Sequence, residues 1–413
     1  MSHAALLPSI PLAILLAAVA ILSLLLALPA GLLCLQLAAA LWPRRAQRPP
    51  AVPPAAPPRP RLTVLVPAHN EESGIALTLA SIQQQLAPGD DLLVIADNCS
   101  DHTAEIAFSM GAAVTLRHDP RQRSKAAALV HGLRHLAATG MRPELLILVD
   151  ADCWLDQHAL DHLAARCVAT AAPVQALYLM HAAPCAGPAR RAAAFAWRVK
   201  NHLRALGRHR LGMPCQLSGS GMAFPAALLA PTLLDRSGLV EDLELGLALA
   251  AQGHAPAFCA QAVVHSLFPD RDSAAQTQRT RWEHGHLHLI RRDGARHLWR
   301  SLRRRDWPYA ALAWDLCVPP LSLLLMLGSL ANGALLLACA LSGAAWPWLL
   351  ATLPFALLLI ALLAAWHVHG RDLFSARQLL WRVPVAMLGK LPLYLRFLRH
   401  RQREWIASVR ERR

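Results

Sequence analysis

Two aspartates one residue apart, Asp150 and Asp152, close the apolar run LLILVDADCW (145–154). While the chain stays extended, alternate side chains share a face, so the two carboxylates would point together and repel. A hard divalent cation, Mg²⁺ or Mn²⁺, relieves that repulsion, keeps part of its water shell and bridges to phosphate oxygens. The plainer reading of the same letters is a pair of acids that opens a loop and favours the next helix. Two more polar clusters follow apolar runs: His69-Asn70-Glu71 and Asp97-Asn98. His284, His286 and His288 form a third kind of cluster. Only the first and last of these would share a helix face, and no carboxylate partners them, so a histidine metal site is not expected.

Something must hold these clusters together. Between residues 61 and 294, short β-branched or leucine-rich runs alternate with alanine-rich stretches. LTVLVPA, DLLVIAD, AVTLRH and ELLILVD read as strands. ESGIALTLASIQQQL, HTAEIAFSMG, SKAAALVHGLRHLAATG and DQHALDHLAARCVAT read as the helices between and after them. Such alternation predicts a parallel sheet with helices on its faces. Ligands of these sheets bind beyond the carboxyl ends of the strands, which is where the polar clusters fall. Neither G-x-G-x-x-G nor G-x-x-x-x-G-K-[ST] occurs, which leaves a dinucleotide fold or a P-loop without support.

The rest of the chain has a different character. It has 413 residues, 55% of them hydrophobic, and a net charge of +15. That is too apolar for a purely soluble protein and too charged for membrane helices alone. The nine cysteines include no Cys-x-x-Cys pair, which fits a reducing compartment better than a disulfide framework. The basic residues cluster beside apolar segments, so they point to a membrane surface and not to nucleic acid. Residues 4–42 carry no Asp, Glu, Lys or Arg and predict one long membrane helix within segment 1–42. A stiff proline-rich linker follows over 43–60, with Arg44, Arg45 and Arg48 marking its cytoplasmic side. A basic interfacial segment is expected at 295–315 and two further spans within 316–370, joined by the uncharged LSGAAWPW. Arginines on both outer flanks of that pair put both its ends inside. Residues 371–413 predict an amphipathic helix in the interface and a basic cytoplasmic tail. The whole describes a multi-pass protein of the inner (plasma) membrane with its soluble domain in the cytoplasm.

Taken together, seven motifs appear in a telling order: VPAHNEE (66–72), ADNCSD (96–101), RSKAAAL (123–129), VDAD (149–152), GSGMAF (219–224), EDLELGL (241–247) and QRTRW (278–282). This series resembles the membrane-bound inverting family 2 glycosyltransferases, which include cellulose, chitin and hyaluronan synthases and many exopolysaccharide transferases. The resemblance implies a GT-A fold, a Rossmann-like α/β domain, flanked here by transmembrane helices. By the same resemblance Pro67, Ala68, Glu71 and Asp97 would bind the donor's nucleoside, with Lys125 and Asp150 near the nucleotide. Asn98 stands where the family often has a second Asp, and Ala126 where a Gly usually follows the basic residue. Asp150 and Asp152 would hold Mg²⁺ or Mn²⁺ on the diphosphate. Gly219, Ser220 and Gly221 match the loop near the acceptor, and Asp242, preceded by Glu241, matches the general base. Gln278, Arg281 and Trp282 match a Q-x-x-R-W motif, where Arg pairs with diphosphate and Trp stacks on a sugar.

The implied reaction is a single displacement that inverts the anomeric carbon, with Asp242 taking the acceptor proton. The implied partners are a UDP- or GDP-sugar and a lipid-linked or growing glycan, with homo-oligomer or polysaccharide-export partners as further candidates. Two enzyme readings compete: addition of one sugar to a polyprenyl-linked intermediate of an exopolysaccharide, and a processive synthase that secretes its polymer. A membrane transport protein is the reading from another class. It would want polar residues inside several spans, and Asp315, at a span edge, is nearly alone.

Overall fold

The computed structural model describes residues 10–43, 59–183, 186–234, 238–269, 271–342 and 346–399. Most of the proline-rich linker, the centre of the loop between the last two spans and the basic tail lie outside the described residues.

Among the described residues eight strands form one sheet in the order β3-β2-β1-β4-β7-β6-β8-β5. They are β1 (Leu62–Ala68), β2 (Asp91–Asp97), β3 (Ala113–Arg117), β4 (Leu145–Leu148), β5 (Cys153–Leu155), β6 (Val174–His181), β7 (Met222–Pro225) and β8 (Ala257–Leu267). The first four are mutually parallel, as the alternating pattern predicts. The runs of β1, β2 and β4 are apolar at nearly every position because helices cover both faces, whereas β3 lies at the edge. Leu62, Val64 and Val66 of β1 pack with Ile75, Leu79 and Ile82 of helix Ile75–Gln83 and with Leu160 and Leu163 of helix Ala159–Thr170. On the other face Leu65, Leu93 and Leu148 meet Leu129 and Leu133 of helix Lys125–Ala138 and Leu245 and Leu249 of helix Glu241–Ala250.

Past β4 the sheet departs from the expected parallel pattern. β7 runs antiparallel to both β4 and β6, and β5 runs antiparallel to β8 at the edge. β7 is four residues long and follows directly on a glycine loop, too short to announce itself by periodicity.

Among the described residues three helices are long and apolar enough to cross a membrane, over Ala17–Leu41, Leu321–Ala340 and Ala351–His369. The first belongs to the unbroken helix Ile10–Leu41, with Pro29 inside it. Leu33 and Leu37 pack with Leu324, Phe355 and Leu358, and also with Phe195, Val199 and Leu203 of the soluble domain. Asp315 locks that junction. Its Oδ1 accepts from Gln36 Nε2 at 2.9 Å and Arg204 Nη2 at 2.8 Å. Arg208 Nη1 lies 2.7 Å from the same oxygen, an ion contact without hydrogen-bond alignment. Asp315 is therefore an anchor between a membrane helix and the soluble domain.

The single amphipathic helix expected near the C-terminus is instead two helices, Ala376–Leu388 and Leu391–Arg399. Gly389 closes the first and Pro392 sits in the opening turn of the second, where a missing N–H costs nothing. Between them Lys390 Nζ turns inward to Glu283 Oε1 at 2.7 Å and Ser322 Oγ at 3.0 Å.

Candidate active site

Parallel register brings the ends of three strands to one edge, with Ala68 opposite Ala96 and Leu65 opposite Leu148. The loops beyond are clipped together. Asn70 Oδ1 accepts from the Ser100 N–H at 2.8 Å, and the Glu71 N–H donates to Thr103 Oγ1 at 2.9 Å. Asn70 and Asn98 turn through left-handed φ of 55° and 52°, a region asparagine tolerates better than most residues. Pro67, Ala68, Glu71 and Asp97 line the resulting cavity. Asp97 is buried and held: Arg117 Nη1 donates to its Oδ1 at 2.6 Å and Asn98 Nδ2 to the same oxygen at 2.9 Å. Sequence reasoning missed Arg117. Its one signal was its place at the end of a strand, in register with Asp97.

Asp150 and Asp152 converge, but not by strand alternation. β4 ends at Leu148, and the Cys153 N–H donates to the Asp150 carbonyl at 3.1 Å, closing a turn. The expectation of an extended Asp-x-Asp is thus corrected, because the backbone must reverse there to start the edge strand β5. Asp150, Asp152 and Cys153 each bring one ligand atom within 4.8 Å of the others. Burial, with Asp152 and Asp150 beside it, pushes the Cys153 thiol well above its ordinary range. The usable donors are therefore hard carboxylate oxygens, which suit Mg²⁺ or Mn²⁺ better than zinc.

Lys125 opens helix Lys125–Ala138, which Ser124 caps by accepting from the Ala127 N–H at 3.1 Å. Its Nζ donates to Asp150 Oδ1 and, at 2.7 Å, to the Gly219 carbonyl. Burial disfavours its charge, yet Asp150, Glu241 and Asp242 outweigh that and hold its pKa up. Of the glycine loop only Gly219 borders the cavity. A Cβ placed on it would lie 3.7 Å from Asp242 Oδ2, 3.8 Å from Asp150 Oδ2 and 3.9 Å from Lys125 Nζ, so this glycine marks the meeting point of the charged groups. Ser220 and Gly221 lie behind it. Ser220 is fully buried, and its Oγ accepts from the Asp150 N–H at 3.0 Å. The Gly221 N–H donates to the Leu148 carbonyl at 2.9 Å. Both therefore hold the carboxylate loop, and neither borders the cavity as the acceptor-loop expectation would have it.

Glu241 and Asp242 occupy the first turn of helix Glu241–Ala250. Burial raises the Asp242 carboxyl above its ordinary range, against Lys200 and Lys125, which pull it down. Burial and the neighbouring Asp242 push Glu241 up to about 7. Gln278, Arg281 and Trp282 share one face of helix Asp272–Leu289 and line the same cavity. Trp282 packs against Trp197 with ring centres 5.0 Å apart, and Trp197 stands edge-on to Tyr178 at 5.4 Å. Trp197 and Lys200 were not legible in the sequence, where no motif marks them. His284 Nε2 and His286 Nε2 sit 3.0 Å and 2.9 Å from the carbonyls of Leu393 and Leu316 and so pin this helix to its neighbours.

Asp97, Lys125, Asp150, Asp152, Glu241, Asp242, Gln278, Arg281 and Trp282 line one cavity of about 940 Å³. The same cavity is also lined by Lys200 and by Leu33, Leu325, Leu359, Leu362 and Leu363 of the helices long enough to span a membrane.

Residues 58–285 match the family model described as glycosyltransferase like family 2. Among solved structures the chain is similar to the mannosyltransferase PcManGT from Pyrobaculum calidifontis, in complex with GDP-Man and Mn²⁺, at 21% identity and a TM-score of 0.53. That match covers 89% of this chain and 99% of the other. It is also similar to glucosyl-3-phosphoglycerate synthase from Mycobacterium tuberculosis, in complex with Mn²⁺, UDP and phosphoglyceric acid, at 18% identity and a TM-score of 0.35, covering 54% of this chain and 77% of that one. No curated protein matches the chain. The first of these likenesses shows the fold, the GT-A fold.

Proposed function

The chain belongs to glycosyltransferase family 2, and from that premise we propose that it moves a sugar from a UDP- or GDP-sugar to a membrane-associated, polyprenyl-linked saccharide in extracellular polysaccharide biosynthesis. One observation carries the acceptor half of this reading: a single cavity joins the carboxylates at the sheet edge to leucines on the spans. A secreted polymer would want a polar path between those helices. Leu33, Leu321, Leu325, Leu359, Leu362 and Leu363 offer a surface for hydrocarbon instead, which favours single addition to a lipid-linked acceptor over processive synthesis.

In this reading Pro67, Ala68, Glu71 and Asp97 hold the nucleoside, and Arg281 offers paired N–H donors to the diphosphate. Asp152 and the oxygen of Asp150 not taken by Lys125 would hold Mg²⁺ or Mn²⁺, whose charge makes a nucleoside diphosphate a better leaving group when bound. Lys125 fixes Asp150 and draws the Gly219 carbonyl toward it. Asp242 accepts the proton of the acceptor hydroxyl, and its raised pKa makes it the stronger base once ionised. The hydroxyl oxygen forms a bond to the anomeric carbon from one face while the carbon–oxygen bond to the diphosphate breaks on the other, so configuration inverts. Glu241, Gln278 and Trp282 shape the acceptor side.

The arginines flanking the spans support a cytoplasmic catalytic domain in the inner membrane with the N-terminus outside. A periplasm-only reporter should be silent at Pro58 and active at Gly343, and activity at Pro58 would overturn this topology. For the reaction, membranes holding the protein are incubated with a panel of radiolabelled nucleotide sugars. Label in a solvent-extractable lipid supports the proposal. A ladder of many sugars from purified protein, or no label from any donor, overturns it.

A further inference from the structure

We infer that Lys200 is the subsite for an anionic group on the acceptor, a phosphate that joins the saccharide to a hydrocarbon chain lying along the leucine-lined arm. The inference rests on the glycosyl-transfer reading above and deepens it by naming the acceptor's chemistry. Lys200 lies in a π-helical turn, Val199–Arg204, between helices Pro188–Arg198 and Ala205–Arg210. Such turns displace one residue out of the α-helical ladder and recur at functional sites. Here the turn leaves Val199, Asn201 and Leu203 buried while Lys200 and Arg204 border the cavity.

Lys200 differs from the other charged groups around it. Arg204 is held by Asp315 at 2.8 Å, Glu283 by Lys390 at 2.7 Å, and Lys125 by Asp150. Among the described residues Lys200 makes no hydrogen bond or ion pair; its Nζ lies 5.9 Å from the centre of the Trp197 ring. Burial lowers its pKa, and the field of Asp242 opposes that. No carboxylate pairs with this ammonium among the described residues, so an anion entering the cavity beside it would gain a charge-assisted hydrogen bond.

Position supplies the rest. Lys200 borders the same cavity as Asp242, whose field it feels, and as the leucines of the apolar arm. Leu359 and Leu363 are 45% and 50% exposed, so the arm opens sideways, where a chain could enter from the bilayer. A molecule with a hydrocarbon tail, a phosphate and a sugar hydroxyl would set these against the leucines, Lys200 and Asp242 of that one cavity.

The test uses the full chain in detergent and two probes: dodecyl phosphate with a photoreactive diazirine on its chain, and the matching dodecyl alcohol. Mass spectrometry maps the labelled peptides. The phosphate probe should label peptides carrying Leu33 or Leu359–Leu363 about 10- to 100-fold more efficiently than the alcohol, the gain expected of a hydrogen bond between charged groups. Lys200→Gln should erase that advantage and Lys200→Arg should restore most of it. Leu362→Trp, which fills the arm, should block both probes. Equal labelling by the two probes, or an undiminished advantage in Lys200→Gln, overturns the inference. Binding of UDP- and GDP-sugars is measured on the same samples. Its loss in the wild-type chain would sink the donor reading, whereas the ratio of the two probes judges Lys200 alone.

Discussion

A methyl group added at Gly219 should separate folding from catalysis. Gly219 has φ +94°, so alanine there strains the backbone. The left-handed region costs a residue with a Cβ about 1–2 kcal/mol. The new Cβ meets no atom closer than 3.7 Å, so no overpacking is added. Yet it would stand 3.7–3.9 Å from Asp242, Asp150 and Lys125, in the space where the reacting groups must meet. Displacing substrate by an ångström can cost about 10²-fold in rate. Gly221→Ala is the contrast. It has φ +68°, and its Cβ would fall 2.6 Å from Val264 Cγ2 and 2.8 Å from the Ala176 Cβ. Strain and overpacking together predict about 2–5 kcal/mol of destabilisation there. The assay is turnover of the nucleotide sugar alongside thermal unfolding. Gly219→Ala should fold and lose turnover, while Gly221→Ala should melt early. Wild-type turnover in Gly219→Ala, or a wild-type melt in Gly221→Ala, would refute the geometry.

Other outcomes follow from the same site. Asp242→Asn should lower transfer by about 10²–10⁴-fold while leaving nucleotide binding largely intact; near-normal turnover would remove it as the base. Activity should vanish in excess EDTA and return with Mg²⁺ or Mn²⁺, and Asp152→Ala should weaken donor affinity as read by calorimetry. Persistence in EDTA counts against the metal role of the pair. Asp315→Ala leaves the buried Arg208 and the part-buried Arg204 without their carboxylate and should cost about 3–5 kcal/mol in unfolding experiments. Arg204 and Arg208 outweigh the burial of Asp315 and hold its carboxyl well below the usual range. Its contribution is therefore complete above the ordinary carboxylate pKa and fades as pH falls below about 4. An acid limb of stability unchanged in Asp315→Asn would contradict that.

Much of this protein is legible from its sequence. Runs such as LTVLVPA and DLLVIAD must be strands buried on both faces, because nothing else hides that many apolar residues between helical patterns. Uncharged stretches of span length declare themselves in the same way. The order of short motifs was enough to indicate the family and the fold, with VPAHNEE, ADNCSD and VDAD each sitting where a strand ends. Other features depend on contacts between distant residues, which local patterning does not encode. The antiparallel β7 is defined by its pairing with β4 and β6. The convergence of Asp150 and Asp152 comes from a turn, not from an extended strand. Ser220 holds the loop because a hydroxyl from 70 residues away meets the Asp150 N–H. The break at Lys390 goes with an ion pair spanning 107 residues. The cavity itself, lined by the carboxylates, Lys200 and the leucines, exists only once membrane helices, soluble domain and C-terminal helices pack together. Periodicity records which face of an element avoids water; which elements then share that face is decided by tertiary packing.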